Sequence, residues 1–322
     1  MFPTKDHLTI CFAHVAYQMR ERFLPRQIGV NSFSVRTADE FERRLGEADV
    51  VVVSGLWRNE LLEKAHRLRF IQSIGAGTDQ FDLENLKRRG IRLASAQGVN
   101  VRAVAEHAMA LILAIARRLP EARDNQARHV WRGMISDLTQ REDELGGKTL
   151  LIIGLGGIGS RLAQLAKAFG MCVIGIKRDP SKGGEAADSV HRLADLNAIL
   201  PQADFVALTC PLTKETEKVI DADGFSRMKP AACLINVARG RCVDEPALIK
   251  ALQEKMIAAA GIDVTVEEPL PRSSPLWDFA NVLLTPHTAG ETRRYEENVL
   301  DILIENMERL WRGESTLRNE II

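Results

Sequence analysis

Three ionisable residues stand just beyond apolar, strand-like runs in the second half of the sequence. They are Arg239 after Asn236-Val237-Ala238, Glu268 before Pro269, and His287 after Pro286. A single loop charge is ordinarily a solvated one, and each alone means little. Together they suit hydride transfer to a carbonyl. The new alkoxide needs a proton, and histidine titrates near neutrality. A neighbouring carboxylate would orient the imidazole and favour its protonated form. An arginine would grip a substrate carboxylate through two parallel hydrogen bonds.

Such residues need a scaffold, and the stretch Lys148 to Pro180 supplies its centre. Thr149-Leu150-Leu151-Ile152-Ile153 reads as a strand buried on both faces. Gly154-Leu155-Gly156-Gly157-Ile158-Gly159 follows at once. Leu162, Leu165, Ala166 and Phe169 then repeat at helical spacing, Gly170 stands at the C-terminal cap, and Cys172 to Ile176 is the next strand. In this βαβ unit Gly154 permits the turn, Gly156 leaves room for a pyrophosphate, and Gly159 lets the helix lie close on the sheet. The helix N-terminus offers N–H groups and partial positive charge to phosphates. A GxGxxG in this strand–turn–helix setting indicates dinucleotide binding.

The rest of the chain alternates in the same way. Strands are expected at Leu8 to Ala13, Asp49 to Val53, Phe70 to Ile74, Ile91 to Ala94, Asp204 to Leu208, Ala232 to Val237, Ala259 to Val264 and Val282 to Thr285. Helical spacing runs over Ala38 to Leu45, Asn59 to Arg67, Leu83 to Arg89, Arg102 to Arg118 and Asn298 to Trp311. The fold class is α/β, with two doubly wound parallel-sheet domains. Ligands in such sheets bind outside the carboxyl ends of the strands, which singles out the loops Ser54 to Asn59 and Gly75 to Asp79. The helix from Arg102 carries Glu106 and His107, and the histidine reads as part of a satisfied helix face. Pro120 to Glu144 is polar, with Trp131 and Met134 as isolated apolar anchors, and reads as an arm reaching toward a partner subunit.

Composition narrows the classes. The 322 residues suggest two domains, and 45% hydrophobic residues is an ordinary globular share. With 43 basic and 43 acidic residues, nothing favours nucleic acid or an anionic membrane as partner. The five cysteines show no CxxC spacing and read as reduced, mostly buried thiols. No metal site is expected. The first residues lack a basic-then-apolar leader pattern, and the apolar stretch Ala110 to Ala116 is too short to span a bilayer. A cytoplasmic location is expected.

The chain resembles the D-isomer-specific 2-hydroxyacid dehydrogenase family across essentially its whole length. The matching stretches are Gly154 to Gly159; Leu234 to Gly240 with Asp244-Glu245 and Ala247-Leu248; Gly261-Ile262-Asp263-Val264; Glu268 to Pro271; Ser274 to Trp277; and Asn281-Val282 to Thr285-Pro286-His287. The resemblance implies a Rossmann cofactor domain, 102–293, inserted into a flavodoxin-like substrate domain, 1–101 with 294–322. It implies hinges near Asn100-Val101 and Arg293, about which the cleft would close. Arg239 would bind the substrate carboxylate and polarise its carbonyl. His287 would be the acid in reduction and the base in oxidation, with Glu268 as its partner. Backbone N–H groups of Ala76 and Gly77 would also hold the carboxylate. The cofactor would meet Gly154, Gly156, Gly157, Ile158, Gly159, Cys210, Pro211, Val237, Ala238, Arg239, His287, Ala289 and Gly290, and Asp263 would face the nicotinamide carboxamide.

One position departs from the family pattern. NAD-preferring members usually end the second strand of the unit with an acidic residue for the ribose hydroxyls. Here Lys177-Arg178 stands there. Cations at that place suit a 2′-phosphate, so NADP(H) is expected to be preferred, with NAD(H) possible. Trp57 and Arg58 would border the substrate, Trp57 limiting its size and Arg58 meeting a second anionic group; a packed tryptophan and a solvated arginine are the alternatives. The expected reaction is NADPH-dependent reduction of a small 2-oxo acid of the glyoxylate or hydroxypyruvate type to its D-2-hydroxy acid. Bulkier or aromatic 2-oxo acids, D-3-phosphoglycerate oxidation and a nucleotide-sensing co-regulator are the alternatives. The resemblance also implies a homodimer.

Overall fold

The structure, a computed structural model, describes residues 2–322. The chain divides into two compact units, Met1–Asn100 with Thr292–Ile322, and Val101–Glu291.

The first unit is built on five parallel strands: β1 Thr9–Ala13, β2 Asn31–Val35, β3 Val50–Val53, β4 Phe70–Ser73 and β5 Arg92–Ala94, in the order β2-β1-β3-β4-β5. Every residue of β3 and β4 is buried, as an apolar run covered on both faces requires. Phe41, Leu45, Leu62 and Leu86 fill one side of the sheet; Phe23, Val299, Leu303 and Met307 fill the other. The helix Ala38–Arg44 starts where Thr37 accepts from the Glu40 N–H, and Leu83–Arg88 where Asp82 accepts from the Asn85 N–H. The last helix, Tyr295–Trp311, begins a turn before the apolar pattern suggests. Its first residue is buried and donates its hydroxyl to the Ile74 carbonyl at 2.7 Å.

The second unit holds β6 Thr149–Ile153, β7 Cys172–Ile176, β8 Ser189–His191, β9 Phe205–Leu208, β10 Cys233–Asn236, β11 Ala259–Ile262 and β12 Val282–Leu284. All pair in parallel, in the order β12-β11-β10-β9-β6-β7-β8. Strand order reverses between β6 and β9, the place where a doubly wound sheet opens a crevice at its carboxyl ends. The helices Val101–Ala116 and Gly157–Ala168 cover one face, and helices including Ala222–Arg227 and Glu245–Gln253 the other.

Three departures from the sequence reading have physical causes. β2 and β8 carry no apolar run, because each is an edge strand with only one neighbour and a partly exposed surface. Asn59–Lys64 is a 3₁₀ segment, with Leu61 N–H bonding Arg58 O and Ala65 N–H bonding Leu62 O. The arm opens with a helix, Leu119–Ala127. Beyond it Trp131 and Met134 are fully exposed and anchor nothing within this chain. Among the described residues, no helix is long and apolar enough to cross a membrane and no group of three His, Cys, Asp or Glu side chains could hold a metal.

Candidate active site

The loop after β6 is shaped by its glycines. Gly154 has φ +105°, and a Cβ there would lie 2.5 Å from the Cys210 nitrogen, so the loops after β6 and β9 touch through it. A Cβ on Gly159 would lie 2.4 Å from the Gly154 carbonyl oxygen and 2.9 Å from Thr209 Oγ1. The Thr209 hydroxyl donates to that same carbonyl at 2.8 Å, joining the two loops at the switch point. Gly156 differs: a Cβ there would meet nothing within 4 Å. The open side of the turn, with the helix N-terminus of Gly157 to Gly159 behind it, is therefore a cradle that fits a pyrophosphate.

Other expected cofactor neighbours flank this cradle. Ile158 is half-buried on the first turn, and Cys210, Val237 and Ala238 are buried at the ends of β9 and β10. Pro211 is exposed beside Cys210. After β7, Lys177 donates to the Lys182 carbonyl and Arg178 is exposed. The next residue, Asp179, accepts from Ser181 N–H and Oγ and pairs with Lys182, contacts that hold its carboxyl below the usual range. The turn thus shows a guanidinium outward while its one carboxylate is engaged within the turn.

Arg239, Glu268 and His287 follow the carboxyl ends of three neighbouring strands, β10, β11 and β12. Buried Asn236 fixes the first turn: its amide donates to Arg239 O at 3.1 Å and its oxygen accepts from Ala238 N–H at 3.1 Å. Arg239 is half-buried and extended, one Nη1 bond going to Ala238 O at 2.7 Å. A Cβ on Gly240 would lie 2.0 Å from the Thr265 carbonyl carbon, so only glycine lets the arginine turn press on the Glu268 loop. Thr265 N–H donates to Glu268 Oε1 at 3.1 Å, and Glu268 Oε2 meets His287 Nδ1 at 2.6 Å. The carboxylate thereby occupies Nδ1 and leaves Nε2, on a side chain 48% exposed, for a reactant.

His287 itself is left-handed, at φ +55°, with its N–H shared between Asp263 O at 2.8 Å and Thr285 O at 3.0 Å. Beneath it lies Asp263. Its Oδ1 accepts from the Thr285 hydroxyl at 2.6 Å and Thr288 N–H at 3.0 Å, and its Oδ2 from Ala289 N–H at 3.1 Å. The side chain is 1% exposed. The carboxylate is enclosed and holds the 285–289 turn. Ala289 is buried and Gly290 half-buried at the end of that turn. His107 Nε2 lies 2.9 Å from Thr285 Oγ1. Neither His107 nor Thr285 was a candidate from sequence, since a helix-face histidine and a strand-end threonine carry no signal until the helix Val101–Ala116 is laid beside β11.

The first unit holds the remaining candidates. Trp57 is 1% exposed, packed between Phe41 and Phe81, with Nε1 donating to Asn59 Oδ1 at 3.1 Å. It is the packed tryptophan of the two readings. Arg58 is exposed, with Nη1 donating to Gly55 O at 2.8 Å and Trp57 O at 2.7 Å. Ala76 and Gly77 lie in the loop after β4, held in place by Tyr295 on the Ile74 carbonyl and Ser73 Oγ donating to Gly75 O at 3.0 Å. Among the described residues, nothing accepts from the Ala76 or Gly77 N–H.

Comparison with known proteins agrees with this architecture. Residues 109–289 match the family model for the NAD binding domain of D-isomer specific 2-hydroxyacid dehydrogenases. The chain is 36% identical over 289 residues to glyoxylate/hydroxypyruvate reductase B of Yersinia enterocolitica, covering 88% of each chain. It is 38% identical over 283 residues to D-3-phosphoglycerate dehydrogenase of Methanocaldococcus jannaschii, covering 86% of this chain but only 52%, about half, of that relative. A solved structure of an NADPH-dependent glyoxylate/hydroxypyruvate reductase from Sinorhizobium meliloti, in complex with NADP and malonate, superposes with TM-score 0.80 at 27% identity, covering 98% of this chain and 97% of that one. The chain belongs to the D-isomer specific 2-hydroxyacid dehydrogenase family, oxidoreductases that act on CH–OH donors with a nicotinamide cofactor.

Proposed function

We propose that this protein reduces a small 2-oxo acid of the glyoxylate or hydroxypyruvate type to its D-2-hydroxy acid, preferring NADPH. The observation that carries the reading is the 2.6 Å pairing of His287 Nδ1 with Glu268, which leaves Nε2 available for proton delivery. Val101–Glu291 serves as the cofactor unit and the remainder as the substrate unit. When bound, the reduced nicotinamide supplies the hydride. Arg239 binds the substrate carboxylate and orients the 2-oxo group, and His287 Nε2 gives its proton to the developing alkoxide. Glu268 orients the imidazole for the transfer. The names of the Yersinia and Sinorhizobium relatives support this substrate class.

Oxidation of a phosphorylated 2-hydroxy acid is the second reading, supported by the name of the archaeal relative. NADPH and NADH oxidation with glyoxylate, hydroxypyruvate and phenylpyruvate, run beside 3-phosphoglycerate oxidation, separates the two. Turnover of none of these acids, with nucleotide binding intact, would favour a nucleotide-sensing co-regulator.

Cofactor choice is assigned to Lys177 and Arg178. Replacing both by glutamine is expected to raise the NADPH dissociation constant about tenfold or more, since hydrogen bonds between charged groups contribute roughly 1.5–3 kcal/mol. NADH affinity should stay nearly constant; equal losses, read by fluorescence titration, would remove the assignment.

The arm fits a homodimer. Val130, Trp131, Met134 and Leu138 all lie exposed on one short stretch, a concentration of apolar surface usual at interfaces. The double variant Trp131→Asp, Met134→Asp is expected to elute as a monomer in size-exclusion chromatography with light scattering, where the unaltered chain elutes at twice the mass. A monomeric unaltered chain would end this reading.

A further inference from the structure

We propose that His107 and Thr285 are positioning residues for His287, forming a proton-ordered relay from the helix Val101–Ala116 to the buried carboxylate beneath the catalytic turn; this rests on the role proposed for His287. The argument is a count of hydrogens. Asp263 accepts backbone N–H groups on both oxygens, from Thr288 on Oδ1 and Ala289 on Oδ2. At 2.6 Å the Thr285 hydroxyl therefore points its single hydrogen at Oδ1. Thr285 Oγ1 can then only accept from His107, 2.9 Å away, so His107 carries its hydrogen on Nε2. The order His107 Nε2–H to Thr285 Oγ1–H to Asp263 is fixed from one end to the other.

The place of the relay gives it a function. Thr285, Thr288 and Ala289 straddle His287, and one enclosed carboxylate ties all three. His287 between them is held left-handed, a conformation that surrounding contacts must impose on a residue other than glycine. Thr285 is the only side chain among these donors, and His107 alone reaches the set from another element. Removing the hydroxyl takes one donor from a buried carboxylate and leaves the His107 N–H without its acceptor, while a methyl of equal size keeps the packing. The turn loosens, and with it the line from Glu268 through the imidazole to the substrate. No atom of His107 or Thr285 is asked to touch a reactant.

The test compares Thr285→Val with Thr285→Ser, and His107→Leu with His107→Gln, in the full-length protein. Thr285→Val and His107→Leu are expected to lower kcat for 2-oxo acid reduction about tenfold, a part of the 10²- to 10⁴-fold that a placed acid supplies. KM and the nucleotide dissociation constant should change less than about twofold, because a loosened turn alters the proton step rather than binding. Thr285→Ser and His107→Gln keep the donor and should recover most of the loss. Valine and serine variants of equal kcat, or a loss appearing in nucleotide affinity instead, would overturn the relay. Two readouts stand apart from activity. ¹⁵N NMR should find His107 protonated on Nε2, and the Nδ1 proton of His287 facing Glu268 should be sharp and far downfield in the unaltered chain and in Thr285→Ser, but broadened in Thr285→Val. A His107 bearing its hydrogen only on Nδ1, or a His287 signal indifferent to the valine, would overturn the proposal even where a variant is too unstable to assay. Absence of 2-oxo acid turnover in the unaltered protein would sink the proposed function alone, since the NMR arm still decides the relay.

Discussion

Replacing His287 by asparagine is expected to lower kcat for 2-oxo acid reduction about a thousandfold, within the 10²- to 10⁴-fold that general acid catalysis supplies. Asparagine keeps a hydrogen-bonding group beside Glu268 and tolerates the left-handed conformation that His287 adopts at φ +55°. The substitution thus removes the transferable proton with little strain on the 285–289 turn. Nucleotide affinity should fall far less than kcat, because the glycine turn that fits a pyrophosphate is on β6 and the helix after it. Glu268→Gln retains the contacts to Thr265 N–H and the imidazole but removes the negative charge beside the ring, so a smaller loss, about ten- to a hundredfold, is expected. Steady-state rates at saturating NADPH check both. An asparagine variant with more than about a tenth of the original kcat would exclude His287 as the proton donor.

Arg239→Lys is the second large effect. The guanidinium offers two parallel donors to a carboxylate, and an ammonium presents one point charge on a different stem. Losing one charged hydrogen bond and the alignment it gives should cost kcat/KM about a hundredfold or more. The turn itself should survive. Asn236 holds the Arg239 carbonyl, and Gly240 fits against Thr265 whatever the side chain at 239. KM for the 2-oxo acid should therefore rise while melting temperature holds. A lysine variant with unchanged KM would show that the substrate carboxylate is held elsewhere.

The difference between what was legible and what was not follows from the range of the interactions. Leu150 to Ile153, the glycines after them and the apolar face of the next helix are local, so the βαβ unit and its glycine turn could be read directly from the order of residues. The buried central strands were equally plain, because a strand covered on both faces is apolar throughout. The edge strands β2 and β8 were not, since one open side relaxes that demand.

Among site residues, the sequence alone determined which types were present and that Arg239, Glu268 and His287 follow strands. Only tertiary structure decided what each side chain meets. Trp57, beside an expected substrate loop, turned inward because Phe41 and Phe81 enclose it. Asp263 became a buried tie because Thr285, Thr288 and Ala289 converge on it. His107 joined that group from 178 positions away in the chain. A hydrogen bond is satisfied by whichever partner the packed backbone brings within about 3 Å, and nothing local to a residue encodes that partner.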